Sequence, residues 1–168
     1  MTPLPAKLDP GAPLVAWRVD AQRYASSWDS GIGAEAVGGR WNPKGRKAVY
    51  CSIDPSTCLV ESAVHRGFKV LDSQPHVLTS LEILDLRTIR VVMPGEVPNP
   101  AWLEGGTPSR HQQSWGEDLL DLHGVVVFPS AVSKRSWNVV IEPSVAAGRF
   151  QLRTQERLSV DSRFSPAE

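Results

Sequence analysis

The chain has 168 residues, of which 41% are apolar and 21% charged, and its 18 lysines and arginines balance 18 aspartates and glutamates. This length and composition predict one soluble globular domain, and they exclude a pair of ordinary domains, a disordered chain and a membrane-spanning protein. A net charge of zero gives no basic field of the kind that direct binding to nucleic acid or acidic lipid requires.

Two cysteines, Cys51 and Cys58, are too few for a disulfide scaffold, and no set of Cys and His pairs has the spacing of a structural zinc site. Residues 1–13 are rich in proline and lack the apolar segment of a signal peptide, so we expect a flexible N-terminal arm on a cytoplasmic protein. Cys58, Glu61 and His65 recur at helical spacing, but three mixed ligands without a fourth are a weak metal signal. We expect no metal and no prosthetic group.

The first predicted elements are two short strands separated by a long connection. Residues 14–19, LVAWRV, are apolar and β-favouring, which predicts a strand that Arg18 interrupts. The glycines, serines and aspartates of 20–47 predict a loop-rich region, and loops of that length in compact domains are usually functional or disordered. Residues 48–52, AVYCS, predict the second strand.

A helix is predicted directly after the second strand. Asp54 caps its free amides, Pro55 fits its first turn, and Gly67 marks its end. The predicted apolar face consists of Leu59, Val60, Ala63 and Val64. Glu61 lies away from that face.

The second half of the chain predicts more strands than helices. The predicted strands cover residues 77–84, 88–92, 125–128 and 138–142. A helix is predicted from Thr107 and Pro108, after a loop that carries Trp102, to a stop at Gly124. Residues from 150 onward alternate weakly and suggest an edge strand. The predicted class is α+β, with a mixed or antiparallel sheet core and a few packed helices.

The densest cluster of chemically useful residues is GGRWNPKG, residues 38–45. Paired glycines let a ligand approach the backbone, Arg40 offers donors suited to phosphate oxygens, and Trp41 offers a face for stacking or for filling the core. The same residues also describe a tight turn with a surface arginine, and residue types alone leave both interpretations open. The cluster matches neither a P-loop nor a Rossmann fingerprint.

Four further residues are candidates on chemical grounds. Glu61 supplies the carboxylate that a glycosidic reaction needs beside a ribose, and Tyr50 supplies a ring that can stack on nicotinamide or adenine. Ser130 follows the predicted strand VVVF and can orient a ligand or a carboxylate, although no nucleophile-elbow motif surrounds it. Arg18 is costly inside an apolar strand unless it is paired or faces a cleft. A solvated glutamate, a buried tyrosine, a turn serine and a structural salt bridge remain the alternatives.

Taken in chain order, these stretches resemble the RES domain family, named for its Arg, Glu and Ser positions. The matching blocks are WR, GGRWNPKG, AVYCS, PSTCLVESAVH, WGEDLL, FPSAV and NVVIEP. They span roughly residues 14–155, which leaves 156–168 as a C-terminal tail. The order and spacing of seven blocks are far more specific than any one of them. In many ADP-ribosyltransferases the catalytic glutamate follows the serine-bearing strand, whereas Glu61 precedes Ser130 here.

The resemblance implies an ADP-ribosyltransferase-like fold and the role of toxin in a toxin–antitoxin pair whose antitoxin is a helix-turn-helix protein of the Xre type. Such toxins deplete NAD by hydrolysis or phosphorolysis, or transfer ADP-ribose to a protein. NAD is then the substrate, and growth arrest follows from its loss. Nucleic acid is met only through the antitoxin, and self-association or a hetero-oligomer with the antitoxin is expected.

Roles for individual residues follow from the same resemblance. Arg18 and Arg40 would hold the NAD pyrophosphate or the adjacent ribose, and Tyr50 would stack on the nicotinamide. Glu61 would stabilise the oxocarbenium-like transition state. The remaining matched residues, which line or support the pocket, are Ser130 and Asn138.

Three classes of function remain open: an NAD-consuming enzyme, a ribonuclease toxin, and a non-catalytic sensor of NAD or ADP-ribose. The neutral charge argues against the ribonuclease, because a phosphate backbone requires a basic footprint. Lys44 and Arg46 are candidates for an additional anion site in a phosphorolytic enzyme. We expect the antitoxin to place a segment at the mouth lined by Arg40 and Glu61.

Overall fold

The structure, a computed structural model, describes residues 13–67, 71, 73–104, 106 and 108–159. Residues 1–12 of the predicted arm and 160–168 of the predicted tail lie outside the described residues. Within the described part of the chain, no helix is long and apolar enough to cross a membrane.

Strands dominate the regular structure. The strands are β1 (Leu14–Ala21), β2 (Val49–Ser52), β3 (His76–Ile83), β4 (Arg90–Val91), β5 (Val125–Pro129), β6 (Trp137–Ile141) and β7 (Phe150–Arg157). The α-helices whose bounds the structure describes are α1 (Ile32–Val37), α2 (Pro55–Arg66) and α3 (Arg110–His123). Short 3-10 helices cover Gln22–Ser27, Leu86–Thr88 and Pro94–Glu96.

All of these strands join one sheet, in the order β4-β5-β6-β2-β1-β3-β7. Neighbouring strands are antiparallel except β4 and β5, which are parallel. β1 pairs with β3 over its full length, whereas it meets β2 at one residue pair, Trp17 opposite Ser52. The sheet therefore has two well-paired halves joined at a narrow point. The predicted α+β class with a mixed sheet is confirmed.

The alternation of side chains gives the sheet two buried faces. On the first face, residues such as Ala16, Val49 and Leu81 form one apolar cluster. On the second face, α3 covers β5 and β6, while α2 covers β1 and β3 through a cluster that contains Val19 and Cys58. Both helices therefore lie on the same side of the sheet, and the residues between them frame the site described below.

Trp41, from the turn GGRWNPKG, belongs to the core of the second face. Its ring stacks on Phe128 with centroids 4.2 Å apart and planes 5° apart. The side chain is 1% exposed. Of the two uses that the sequence left open for Trp41, filling the core is the one that the structure shows.

Helix α2 begins and ends where the sequence predicts. The carboxylate of Asp54 accepts a hydrogen bond from the Thr57 amide at 2.7 Å, Pro55 lies in the first turn, and Gly67 has φ of 83°. The predicted apolar face is wrong in part, because Val60 and Val64 are 41% and 61% exposed. A different pair of residues, Cys58 and Ala63, is buried instead.

The reason lies in a polar stripe along the same helix. Asp54, Thr57 and Glu61 follow one another at helical spacing, and each bonds to the chain around β5 and β6. These bonds turn the helix so that the stripe faces the sheet and the two valines face outward. Apolar residues alone did not indicate this orientation, since hydrogen bonds set it.

Three further predictions are settled by the structure. The region 20–47 is more regular than predicted, since it contains α1 and the first 3-10 helix. Helix α3 starts at Arg110 because the Ser109 hydroxyl accepts a bond from the Gln112 amide at 3.2 Å, and the predicted starting residue Thr107 lies outside the described residues. The predicted edge strand is confirmed as β7, which extends two residues into the predicted tail.

Candidate active site

The central feature of the site is a carboxylate held by two side chains from other elements. Glu61 lies on α2, Ser130 directly follows β5, and Asn138 lies on β6. The Ser130 hydroxyl donates to Oε1 of Glu61 at 2.7 Å, and Nδ2 of Asn138 donates to the same oxygen at 2.6 Å. The Ser52 hydroxyl in turn donates to Oδ1 of Asn138 at 2.8 Å. The Glu61 side chain is 17% exposed, so these bonds fix a carboxylate that is largely shielded from water.

The second oxygen of Glu61 faces a different environment. Nε2 of His65 lies 3.8 Å from Oε2, and the His65 side chain is 74% exposed. One oxygen is therefore anchored by two side-chain donors, while the other lies toward an exposed histidine. A carboxylate in this arrangement can accept a hydrogen bond from a hydroxyl group or stabilise a developing positive charge, and the site need not reorganise to do so.

The connection between β5 and β6 is tied to the start of α2. The Ser133 amide donates to the Ser130 hydroxyl at 2.8 Å, and the Ser136 hydroxyl donates to Asp54 at 3.0 Å. The Thr57 hydroxyl also donates to Asp54, at 2.7 Å. Burial opposes ionisation of Asp54, but the bonds from Thr57 and Ser136 outweigh it and lower the pKa of this carboxyl. The cap of the helix thus also holds the strand connection that carries Ser130.

Tyr50 lies on β2, two residues before Ser52 and on the same face of the sheet. Its hydroxyl donates to Oδ1 of Asn42 at 2.7 Å and accepts from the Trp41 amide at 3.0 Å. Burial raises the pKa of Tyr50 above its usual range; the bond from the Trp41 amide and the charge of Arg40 act in the opposite direction, and the charge of Glu61 adds to the rise. Tyr50 therefore offers a neutral ring within electrostatic reach of both charged groups.

The turn that carries Arg40 is built around a buried amide. Asn42 is 1% exposed. Its Nδ2 donates to the backbone carbonyl oxygens of Ala34, Pro43 and Arg46, at 3.2, 3.1 and 2.9 Å. A Cβ at Gly39 would lie 2.4 Å from the Tyr50 hydroxyl, so only glycine fits there. The turn interpretation of this cluster is therefore correct, and its glycine serves the packing of the turn against Tyr50.

The Arg40 side chain extends from this turn toward the Trp102 loop, whose described residues are 97–104, 106, 108 and 109. Its Nη1 donates to the backbone carbonyl of Trp102 at 2.6 Å, and the residue is partly buried. Beside it lies a cleft of about 180 Å³. Residues that line this cleft include Arg40, Asn99, Ala101, Glu104, Pro108 and Ser109. The guanidinium is thus positioned by a backbone carbonyl at the edge of an open cleft.

Arg18 is held differently. Nε and Nη2 bond to the two carboxylate oxygens of Asp20, and Nη1 lies 3.5 Å from the backbone carbonyl oxygen of Tyr50. Burial disfavours the charged guanidinium, but Asp20 outweighs this and raises the pKa of Arg18. Alternation along β1 places Arg18 on the face of Ala16 and Asp20, opposite Trp17. The structure therefore shows the salt-bridge alternative for Arg18, next to the backbone of Tyr50 and apart from the bonds around Glu61.

The two candidates for an additional anion site differ. Arg46 forms ion pairs with Glu117, at 2.7 Å, and with Asp121, both on α3. Its charge is thus already compensated, and it serves to fasten the turn to the helix. Lys44 is exposed.

The set Cys58, Glu61 and His65 is not brought together as a metal site. Among the residues that the structure describes, no group of three His, Cys, Asp or Glu residues could hold a metal ion. Cys58 is buried in the apolar cluster beneath α2, and burial raises its pKa. Burial likewise raises the pKa of Cys51 to about 12, so both cysteines are inert neutral thiols.

The sequence analysis missed three residues that shape the site. Ser52 supports Asn138, and two amides from the first turn of α3, Gln112 and Gln113, bond to the backbone of the Arg40 turn. A signal for Ser52 was present, because it shares a strand face with Tyr50. Gln112 also gave a signal, since it is a polar residue one helical turn before Gly116 on the face that α3 buries.

The chain is similar to known proteins over most of its length. The model of the family described as RES domain matches residues 15–161. The chain is 30% identical over 163 residues to a protein of Photorhabdus laumondii named Toxin Res, covering 92% of this chain and 99% of that one. It is 28% identical over 134 residues to the Prs ADP-ribosylating toxin of a Sphingobium species, covering 76% and 81%. Its fold is similar to a chain in the crystal structure of the M. tuberculosis MbcT–MbcA toxin–antitoxin complex, with a TM-score of 0.67 and 22% identity over 88% of this chain and 85% of that chain.

Proposed function

The chain belongs to the RES domain family, and we propose that it is a toxin that consumes NAD by breaking the bond between nicotinamide and ribose. The name of one relative, Toxin Res, supports the role of toxin. The name of another, Prs ADP-ribosylating toxin, supports an enzyme that uses the ADP-ribose half of NAD. We place its action in the cytoplasm, where a free toxin would deplete the NAD on which growth depends.

The observation that carries the proposal is the carboxylate of Glu61, which is anchored through Oε1 and has Oε2 directed toward the exposed His65. Cleavage breaks the bond between ribose C1′ and the nicotinamide nitrogen. The electron pair leaves with nicotinamide, which becomes neutral, and positive charge develops on the ribose ring. Glu61 stabilises this charge and accepts a hydrogen bond from a ribose hydroxyl. An acceptor, either water, phosphate or a protein nucleophile, then bonds to C1′ and releases its proton.

The other matched residues bind the remainder of NAD in this proposal. Arg40, positioned at the cleft, pairs with the pyrophosphate or the adjacent ribose. Tyr50 stacks its neutral ring on nicotinamide, since its hydroxyl is already bonded to the protein. Ser130 and Asn138 belong to the wall of the pocket, where their hydrogen bonds keep the Glu61 carboxylate in place. Arg18 is the exception, because its guanidinium bonds to Asp20 and to the backbone carbonyl of Tyr50; it supports the strand that carries Tyr50 and is not assigned to NAD.

Transfer of ADP-ribose to a protein is the second candidate, and the name of the Sphingobium relative favours it. The same carboxylate serves both reactions, because both pass through a positively charged ribose. They differ in the acceptor, which attacks after nicotinamide has begun to leave. Free ADP-ribose as the product indicates water, ADP-ribose 1″-phosphate indicates phosphate, and label on a protein indicates transfer.

An antitoxin is the proposed partner. One solved structure with a similar fold is a toxin–antitoxin complex. We propose an antitoxin of the Xre type that covers the mouth between Arg40 and Glu61, either one-to-one or within a hetero-oligomer. Any contact with nucleic acid would come through that partner, in keeping with the zero net charge of the chain.

The decisive experiment follows NAD over time with purified, antitoxin-free protein, with and without phosphate. We expect the wild type to consume NAD, and Glu61→Gln to lower kcat by about two to four orders of magnitude. Glutamine keeps the size of the side chain but removes the negative charge that the ribose cation requires. The matched control is Glu156→Gln, the same change at an exposed position on the edge strand β7.

Two results would contradict the proposal. The first is a folded, antitoxin-free wild type that leaves NAD untouched and adds no label from NAD to any protein of a bacterial lysate. The second is a Glu61→Gln protein as active as Glu156→Gln, which would assign Glu61 a structural role and favour a sensor of NAD.

A further inference from the structure

Gln112 is a fully buried amide that bonds to two different loops. It lies in the first turn of α3 and is 0% exposed. Its Oε1 accepts from Nδ2 of Asn99 at 2.9 Å, and its Nε2 donates to the backbone carbonyl of Arg40 at 3.3 Å. Displacing a buried amide with both ends bonded costs free energy, because its donor, its acceptor and their partners would be left unsatisfied inside the protein.

The bonds around Gln112 close into a circuit. The Arg40 side chain donates to the Trp102 carbonyl at 2.6 Å, and the Trp102 amide donates to the Asn99 carbonyl at 3.1 Å. The Asn99 side chain then returns through Gln112 to the backbone of Arg40. The guanidinium and the backbone from which it extends are thus fastened to the same loop by independent bonds, so the two loops form one unit.

Helix α3 gives this circuit a rigid base. Nε2 of Gln113 donates to the Gly39 carbonyl at 2.8 Å, next to the bond from Gln112. One turn later, a Cβ at Gly116 would lie 2.4 Å from the backbone oxygen of Trp41. The backbone of residues 39–41 therefore rests directly on the helix. A group held against a helix keeps its place more accurately than one on a free loop.

We propose that Gln112 is the positioning residue for Arg40: by joining the Trp102 loop to the Arg40 turn, it determines where the guanidinium stands in the cleft. This inference rests on the proposed function, since it assigns the guanidinium to the phosphates of NAD. Gln112 acts through Arg40 and touches neither NAD nor Glu61. Its loss therefore weakens binding of NAD and leaves the cleavage step at Glu61 in place.

The test variant is Gln112→Glu. Glutamate keeps the shape and the acceptor for Asn99, but it replaces the donor to the Arg40 carbonyl by an oxygen that repels it. We expect KM for NAD to rise about tenfold, the size of one lost hydrogen bond, while kcat stays within about twofold of wild type. In an Arg40→Ala background the same change should raise KM no further, because the group that Gln112 positions is absent. The control is Ser80→Ala, which removes one buried bond to Thr154 on β7.

Hydrogen exchange of the free protein provides a second measurement that needs no activity. In Gln112→Glu, amides of residues 38–42 and 99–104 should both exchange faster than in wild type, and in Ser80→Ala neither segment should change. Unchanged exchange in both segments overturns the inference, and so does a rise in KM that is undiminished in the Arg40→Ala background. If wild type consumes no NAD while both segments respond together, the coupling of the loops stands and the proposed function fails.

Discussion

The two charged sides of the proposed site are built in different ways. On the carboxylate side, side chains of Ser130 and Asn138 bond directly to Glu61. On the arginine side, the buried side-chain amides of Asn42 and Gln112 bond to the backbone of the turn. The position of Arg40 depends on that backbone. On the first side, the hydrogen bonds hold the reacting carboxylate itself. On the second side, they hold the turn from which the Arg40 side chain extends.

This difference separates the consequences of substitution. Removing a donor on the carboxylate side changes the hydrogen bonding of one Glu61 oxygen. The strands and the helix that carry these residues keep their structure without that bond. Removing an amide on the arginine side takes away hydrogen bonds to the backbone of the turn, so the turn itself loosens. The two asparagines, one on each side, allow the same chemical change to be compared in both settings.

The largest expected effect is the loss of stability in Asn42→Ala. Three backbone carbonyls and the Tyr50 hydroxyl lose their bonds to this side chain inside the protein. We expect the free energy of unfolding to fall by about 3 kcal/mol, because each of these four hydrogen bonds contributes about 0.5 to 1.5 kcal/mol. Urea unfolding measures it. Asn138→Ala is the matched change and should cost about 2 kcal/mol, because it loses two hydrogen bonds, one to Glu61 and one from Ser52. An equal loss in both variants would remove the distinction between the two sides.

The next effect is on the rate of NAD cleavage. Here we expect the carboxylate side to be the more sensitive of the two sides. Ser130→Ala and Asn138→Ala each remove one of the two donors to Oε1 of Glu61. A hydrogen bond to a charged group contributes about 1.5 kcal/mol, so we expect kcat for NAD cleavage to fall about tenfold in each, with KM changed by less than about threefold. Steady-state kinetics of purified proteins measure both constants.

Ser133→Ala is the control for this pair. Ser133 bonds to the Ser130 hydroxyl through its backbone amide, which alanine retains. Its kcat should therefore match that of wild type. If Ser130→Ala raises KM and spares kcat, the two donors serve binding and do not hold a catalytic carboxylate.

Features that depend on neighbouring residues in the chain, such as the bounds of a helix, are predictable from the sequence. Helix α2 was predicted from Asp54, Pro55 and Gly67, which act within the helix and its caps. Its orientation was not predicted, because the partners of the polar stripe, Ser130 and Ser136, lie about 70 to 80 positions along the chain. The exposed Val60 and Val64 follow from that same distant pairing.

The arginine side shows the same limit more strongly. The residues GGRWNPKG fit a turn and a ligand-binding loop equally well, and the bond from Gln112 that fixes the turn spans 72 positions. Arg18 shows a limit of another kind. Asp20 lies two residues later on β1, so alternation places both side chains on one face, but the predicted strand ends at Val19 and leaves this partner unidentified.

The smallest expected effect concerns the support beneath the carboxylate side. Asp54 caps α2 and holds Ser136, and these bonds lower the pKa of its carboxyl in the folded protein. A lowered pKa stabilises the fold above the unfolded value of about 3.9, and this contribution is lost as pH falls through the folded pKa. Asn caps a helix as well but carries no charge, so Asp54→Asn should cost about 0.5 kcal/mol at pH 7, a value reduced by solvent screening of this partly exposed group.

The pH dependence is the informative part of that last variant. The difference in unfolding free energy between wild type and Asp54→Asn should shrink as pH falls below about 4, because the wild-type carboxyl then becomes protonated and neutral like asparagine. Urea unfolding at pH 7 and pH 3.5 measures it, with Asp118→Asn on the exposed face of α3 as the control. A difference that stays constant between these two pH values would mean that the cap acts through shape alone. The structure of the carboxylate side would then not depend on the charge of Asp54, and the charge that matters on this side would be that of Glu61.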